Sequence, residues 1–179
     1  TIITMGLAFI LGLYLVWHGG WAIFWIGIAS LIFGILYTGG PFPLGYNGLG
    51  DVFVFIFFGI VAVMGTYYVN ALEWSDASFC ASLAVGGLST NILVINNLRD
   101  VEQDKIAGKN TLGVIFGENA LRWEYLLMLL LAVAIPPHFY VQLGYDAVIF
   151  LPFLVSPFGF IQLYKVWAWN DKHRFNKVL

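Results

Sequence analysis

Six separate apolar stretches of 16 to 22 residues dominate this chain, and each is long enough to cross a bilayer as an α-helix. They do not alternate polar and apolar residues as the strands of a membrane barrel would. Only 10% of the residues are charged, against about 25% in a typical soluble domain. The sequence therefore predicts an all-α, polytopic transmembrane bundle with the spans Ile2–Trp17, Trp21–Tyr37, Val52–Val69, Ala77–Leu98, Ala120–Pro136 and Val148–Val166.

The charged residues are distributed unevenly between the two sides of this bundle. All eight Lys and Arg residues fall on one side in a six-span topology, and the opposite side carries only acidic residues. Because Lys and Arg accumulate in cytoplasmic loops, we expect the loop after the fourth span and both ends of the chain to be cytoplasmic. The net charge of -2 makes nucleic acid a poor candidate partner.

An acidic segment follows the fourth apolar stretch. If the helix continues through this segment, Asn96, Asp100 and Asp104 lie at intervals of four residues and share one face. Two carboxylates at that spacing repel each other, and a divalent ion such as Mg²⁺, which favours oxygen ligands and substrate phosphates, removes the conflict. Three basic residues surround the pair and suit a phosphorylated ligand: Arg99, Lys105 and Lys109. The alternative is a solvated loop whose basic residues only set the topology.

The loop Tyr37–Asp51 contains five glycines and two prolines in fifteen residues, which excludes a continuous helix. Such a backbone can approach a ligand closely, and Tyr37 and Tyr46 could line a pocket for an aromatic molecule. Asp51 precedes the third span, where it either caps the helix or makes a polar contact to substrate.

These residues resemble those of a known family. The segments Asn96–Asp100 and Gly108–Leu112, with Asp104 between them, look like the second aspartate-rich motif of the UbiA superfamily of intramembrane aromatic prenyltransferases. The loop Tyr37–Asp51 and the following Phe53–Gly65 resemble the branch of that family that prenylates 1,4-dihydroxy-2-naphthoate in menaquinone and phylloquinone synthesis.

The resemblance implies a nine-helix bundle, of which residues 1–179 would form a single domain holding the third to eighth helices. The chain lacks the N-D-x-x-D motif expected between the first two spans of the family fold, and it lacks an initiator Met. We therefore expect a fragment of a longer protein. Many members also carry a Lys four residues after the loop tyrosine, where this chain has Pro41, so a diphosphate contact from that position is not expected.

The resemblance also implies a reaction. A polyprenyl or phytyl group would pass from its diphosphate to 1,4-dihydroxy-2-naphthoate, with loss of the carboxyl group and with Mg²⁺ as cofactor, at a site on the cytoplasmic face of a bacterial or plastid-type inner membrane. The catalytic residues would be Asp100, Asp104 and Lys109; the metal ligands Asp100, Asp104 and Asn96; the diphosphate-binding residues Arg99, Lys105, Lys109 and Asn97; and the acceptor-binding residues Tyr37, Tyr46 and Asp51.

Two alternatives remain open from the sequence. Within the family, the acceptor could be another aromatic molecule such as 4-hydroxybenzoate. In a different class, the chain could be a noncatalytic transporter or membrane subunit whose charged loop only sets its orientation. The centres of the spans lack ionisable residues, which weighs against proton-coupled transport.

Overall fold

The fold is helical throughout the residues that the computed structural model describes, 2–169 and 172–178. Thr1 and Leu179, at the two ends of the predicted domain, lie outside the described residues. The helices are α1 (Ile2–Thr38), α2 (Gly50–Ala71), α3 (Asp76–Ile106), α4 (Leu112–Phe116), α5 (Glu118–Gln142) and α6 (Ser156–Ala168). Short 3-10 segments occupy Leu44–Tyr46, Ala147–Leu154 and Lys172–Lys177. The predicted all-α class is confirmed.

Four helices in the described part of the chain, α1, α2, α3 and α5, are long and apolar enough to cross a membrane. The 3-10 segment Ala147–Leu154 and α6 form a pair bent by 41°, which gives a fifth span if it is counted as one. The chain is thus a multi-pass integral membrane protein. This count differs from the predicted six because Ile2–Thr38 is counted as one helix. Non-helical backbone at Gly20 (φ 66°, ψ -155°) divides it into two helices joined by a kink, in the gap predicted between the first two spans.

The predicted span Val148–Val166 corresponds to this bent pair and is not one straight α-helix. The structure has a 3-10 segment that ends at Leu154 and a new α-helix that starts at Ser156. Proline explains the break, because Pro157 lacks a backbone N–H and its fixed φ suits the first turn of a new helix. In contrast, α5 continues through Pro136 and Pro137 to Gln142, beyond the predicted end of that span.

α3 is the central helix, and small residues let its neighbours approach it from two sides. A Cβ added to Gly59 of α2 would lie 2.5 Å from the Cα of Gly86 in α3. A Cβ on Gly87 would lie 2.9 Å from the carbonyl oxygen of Met128 in α5. Around Gly59 the helix widens into a π-helical stretch, Phe55–Val61. Close backbone contact therefore fixes α3 between α2 and α5.

A hydrophobic cluster holds the second half of α3. It combines residues of α3 and α5 with Val166 of α6 and with Phe175, which is fully buried although it lies in the C-terminal 3-10 segment. The remaining members are Val94, Ile95, Leu98, Leu121, Tyr125 and Leu129. This packing fixes the part of α3 from which Asp100 and Asp104 project.

We predict that Gly59→Val destabilises the protein, because the added side chain meets the backbone of α3, which cannot move aside as a flexible side chain would. Overpacking of this kind costs about 1–3 kcal/mol. The measurement is thermal unfolding in nanodiscs. The matched control is Gly65→Val in the same helix, where an added Cβ meets no atom within 4 Å. Equal effects of the two substitutions would contradict the close crossing of α2 and α3.

Candidate active site

The aspartate-rich segment lies on the last turns of α3. The side chain of Ser75 accepts a hydrogen bond from the backbone N–H of Ser78 at the start of this helix, which then continues without interruption to Ile106. Asn96, Asp100 and Asp104 therefore occupy successive turns of one helix, as their spacing predicted. Gly108, with φ 70°, then turns the chain back towards α3.

Asp100 is held by its neighbour in sequence. The Nε and Nη2 atoms of Arg99 donate hydrogen bonds of 2.7 Å to Oδ1 and Oδ2 of Asp100. The guanidinium thus forms a bidentate ion pair with the carboxylate, and both side chains remain partly exposed to solvent.

Asp104 is buried, at 6% exposure, and it pairs with Lys109. The Nζ atom of Lys109 lies 3.0 Å from Oδ1 of Asp104, and the Lys109 backbone N–H donates a 2.9 Å bond to the Asp104 carbonyl. The hydrogen bond to Asp104 raises the pKa of the Lys109 ammonium above its usual value. Lys109 also interacts electrostatically with Asp100, more weakly than with Asp104.

The same turn contacts the glycine-rich loop. The Nζ atom of Lys109 lies 4.9 Å from the centre of the Tyr46 ring, and the backbone N–H of Asn110 donates a 2.8 Å bond to the Tyr46 carbonyl. Gly48 in this loop has φ 75°, a backbone conformation that residues with a Cβ rarely adopt, and a Cβ there would lie 3.4 Å from the Asn110 carbonyl oxygen, so the loop packs against this turn. The fold thus brings Tyr46 to Lys109, the partner of Asp104.

Asp51 does not cap α2. The capping position is Leu49, which makes no side-chain capping bond, and the Asp51 carboxylate is 3% exposed. Its two oxygens instead accept bonds of 3.3 Å from the Nδ2 atom of Asn97. The hydroxyl of Tyr37 lies 3.3 Å from where a Cβ on Gly50 would be, which places it beside Asp51. The capping alternative is therefore wrong, and the acceptor role of Asp51 stays a prediction.

The other predicted site residues differ in their contacts and in their burial. Asn97 contacts Asp51 from α3, and its predicted role in diphosphate binding stays a prediction. Asn96 is half-buried and Lys105 is exposed. Sequence reasoning did not single out Glu124, a half-buried residue of α5 that interacts electrostatically with Asp51. An acidic residue inside the apolar stretch Ala120–Pro136 was the available signal.

The donor set fits Mg²⁺ that is bound together with a phosphorylated ligand. Among residues 2–169 and 172–178, no group of three or more His, Cys, Asp or Glu side chains could hold a metal unaided. Mg²⁺ usually takes only one or two carboxylates, and phosphate oxygens and water complete its shell. Asp100 and Asp104 supply such a pair one helical turn apart, and each already has a cationic partner, Arg99 and Lys109 respectively.

A family model decides the classification. The model of the UbiA prenyltransferase family matches residues 1–178. The chain belongs to the UbiA prenyltransferase family. The family assignment made from the aspartate-rich motif and the glycine-rich loop is thus confirmed.

Curated relatives are similar to half of the chain or more. It is 46% identical over 105 residues to a 1,4-dihydroxy-2-naphthoate octaprenyltransferase of Escherichia coli, covering 58% of the chain and 34% of the relative. It is 48% identical over 90 residues to the Mycobacterium tuberculosis protein of the same name, covering 50% of the chain and 31% of that relative. A 2-carboxy-1,4-naphthoquinone phytyltransferase of Synechocystis is 34% identical over 118 residues, covering 63% and 38%.

The aligned segment thus spans about a third of the length of each of these relatives. No solved structure matches the chain.

We predict that Lys109→Gln loosens the turn after α3. The substitution removes the ion pair to Asp104 and the contact with the Tyr46 ring, which together are worth about 1–2 kcal/mol at partly exposed sites. Hydrogen–deuterium exchange of the amides of residues 107–111 should accelerate about fivefold to thirtyfold at that energy. Lys105→Gln, an exposed lysine of the same segment, is the control and should leave the exchange unchanged. Equal exchange in the two variants would contradict the role given to Lys109.

Proposed function

We propose that this UbiA-family protein transfers a polyprenyl or phytyl group from its diphosphate to 1,4-dihydroxy-2-naphthoate, with loss of the acceptor's carboxyl group, in menaquinone or phylloquinone synthesis. The observation that carries the proposal is the grouping of Asp100 and Asp104 around Lys109, in contact with Tyr46 of the glycine-rich loop. The family match over residues 1–178 and the names of the relatives support the same reaction.

The proposed cofactor is Mg²⁺, and Asp100 and Asp104, with Asn96, would hold it together with the substrate diphosphate. When bound, the metal supplies Lewis-acid stabilisation of the leaving diphosphate. Arg99 and Lys109 neutralise the two carboxylates in this structure. With a metal held by those carboxylates, both cations would be available to the phosphate oxygens. Lys105 adds a third cation at the exposed rim. This change of partners would keep the net charge of the site close to zero both with and without substrate.

The same cations serve the chemical step. As the bond between the allylic carbon and the diphosphate oxygen breaks, negative charge builds on the leaving group. Arg99 and Lys109 stabilise that charge, and Arg99 offers a planar fork suited to phosphate oxygens. Asn97 is the remaining residue proposed for diphosphate binding, at the deeper edge of the site.

The acceptor would lie against the glycine-rich loop, between Tyr37, Tyr46 and Asp51.

The isoprenoid tail would extend away from the charged rim into the apolar bundle. A cavity of about 480 Å³ between α1 and the second half of α2 offers apolar volume for it. This arrangement explains why the reaction belongs in a membrane, because one end of the donor is charged and the rest is hydrocarbon.

We further propose that the site faces the cytoplasm and that this chain contributes the third to eighth helices of a nine-helix fold. The concentration of Lys and Arg at this end of the helices supports the first point. The second point rests on the resemblance in the order of spans and loops, and the relatives are longer than the segment that aligns with the chain.

We predict that Asp100→Asn and Asp104→Asn each reduce prenyl transfer by at least about 100-fold, as loss of one group that stabilises developing charge commonly does. The assay uses the intact protein in proteoliposomes with geranylgeranyl diphosphate, Mg²⁺ and 1,4-dihydroxy-2-naphthoate, and 4-hydroxybenzoate as the competing acceptor. Glu102→Gln, an exposed acid on the same helix, is the control and should retain activity.

Wild-type turnover by either aspartate variant, or turnover that persists when EDTA removes the metal, would refute the assigned roles. Preference for 4-hydroxybenzoate would correct the acceptor. A wild-type protein that transfers no prenyl group to any aromatic acceptor would favour the noncatalytic membrane protein.

A further inference from the structure

Asp51 is a buried carboxylate in the first turn of a membrane helix, and its surroundings are unusual. It is 3% exposed, and none of the ion pairs recorded among the described residues involves it. Its recorded charged neighbour is a second acid, Glu124. A buried carboxylate without a cation is costly, and within a membrane protein it marks a site of function.

The hydrogen bond from Asn97 relates this acid to the aspartate-rich site. Asn97 and the aspartate-rich segment both belong to α3, whereas Asp51 belongs to α2. Asn97 lies seven residues before Asp104, which is about 10 Å along the helix axis. The site thus has two neighbouring zones. A cationic zone contains Arg99, Lys105 and Lys109, and an acidic zone contains Asp51 and Glu124.

The two zones would orient an acceptor that carries a carboxylate and a hydroxyl group. The acceptor carboxylate is repelled by the like charges of Asp51 and Glu124, and it finds cations only at the other zone, where Arg99 and Lys109 are paired with Asp100 and Asp104. The hydroxyl group is a donor, and the Asp51 carboxylate is an acceptor with no other partner recorded among the described side chains than the Asn97 amide. The hydroxyl group therefore points towards Asp51.

We infer that Asp51 is the catalytic base that takes the hydroxyl proton of the aromatic acceptor, and that Asn97 is a positioning residue that holds its carboxylate. The inference rests on the proposed prenyl transfer. In that step a ring carbon bonds to the first carbon of the prenyl group while the C–O bond to the diphosphate breaks, and the diphosphate leaves with that electron pair. The acceptor's O–H bond breaks, its electron pair enters the ring, and its proton moves to the Asp51 carboxylate.

A purely structural role for Asp51 is the competing explanation, since hydrogen bonds between membrane helices commonly hold bundles together. The substitution Asp51→Asn separates the two roles. The amide oxygen of the new side chain still accepts a bond from Asn97 in nearly the same shape, so the helix contact is kept. The new side chain cannot serve as a base.

The experiment measures prenyl transfer by the intact protein in proteoliposomes with Mg²⁺ and geranylgeranyl diphosphate, to a series of naphthol acceptors with increasingly acidic hydroxyl groups. We expect Asp51→Asn to slow transfer at least about 100-fold with the least acidic naphthol, as loss of a general base does. The deficit should shrink as the hydroxyl becomes more acidic, because such an acceptor needs less help to lose its proton. Asp76→Asn, the same change at the exposed far end of α3, should behave as wild type.

Binding of Mg²⁺ with a prenyl thiodiphosphate analogue provides the second readout. Asp51→Asn should bind this pair within about twofold of wild type, because the substitution leaves the cationic zone intact. The inference is overturned if the variant transfers within fivefold of wild type, if its deficit is the same for every naphthol, or if it loses analogue binding. A wild-type protein without metal-dependent transfer would instead remove the proposed function itself.

Asn97→Ala tests the positioning role. The base is still present, so the dependence on naphthol acidity should remain that of wild type while kcat falls about tenfold, the scale of losing one supporting hydrogen bond. An unchanged kcat would remove Asn97 from the mechanism.

Discussion

Asp104 is buried at the end of the central helix, and the ammonium of Lys109 compensates its charge. A buried carboxylate is costly without a partner, and although the Lys109 side chain is about one-third exposed, this pair constrains the chain around it. The chain turns at Gly108 so that Lys109 reaches back to α3, and the same turn places Asn110 against the backbone of Tyr46. The aspartates, the cations and the glycine-rich loop therefore form one unit around a positive charge that a bound metal could replace.

The position of this unit follows from the packing of α3. Close contacts at Gly86 and Gly87 fix the helix between α2 and α5, and the hydrophobic cluster around Leu98 holds its second half. The charged turns then extend beyond the cluster to Ile106. A rigid apolar helix thus presents its acids where a lipid substrate would have its charged end.

Local features of this arrangement could be predicted from the sequence. The apolar stretches predicted the long helices, and the four-residue spacing predicted that Asn96, Asp100 and Asp104 lie on one helix. These two predictions depend only on local sequence. The break at Gly20 also fell where the sequence placed it. Proline was less informative: Pro157 starts a new helix, whereas Pro136 lies inside one, and the difference depends on neighbouring elements.

Contacts between distant segments could not be predicted. The bond between Asn97 and Asp51 joins residues 46 positions apart, and it depends on how α2 crosses α3. The burial of Phe175 and the approach of Glu124 to Asp51 likewise arise from tertiary packing, which periodicity does not encode. The sequence singled out Asp51 and the cationic zone, whereas the association of Asp51 with Asn97 and Glu124 was visible only in the structure.

The most direct measurement is a structure of the intact protein with Mg²⁺ and a prenyl thiodiphosphate analogue. We expect the metal to be coordinated by carboxylate oxygens of both Asp100 and Asp104, with Arg99 and Lys109 turned to the diphosphate. A metal–diphosphate pair bound elsewhere, with both carboxylates still paired to Arg99 and Lys109, would contradict the central claim.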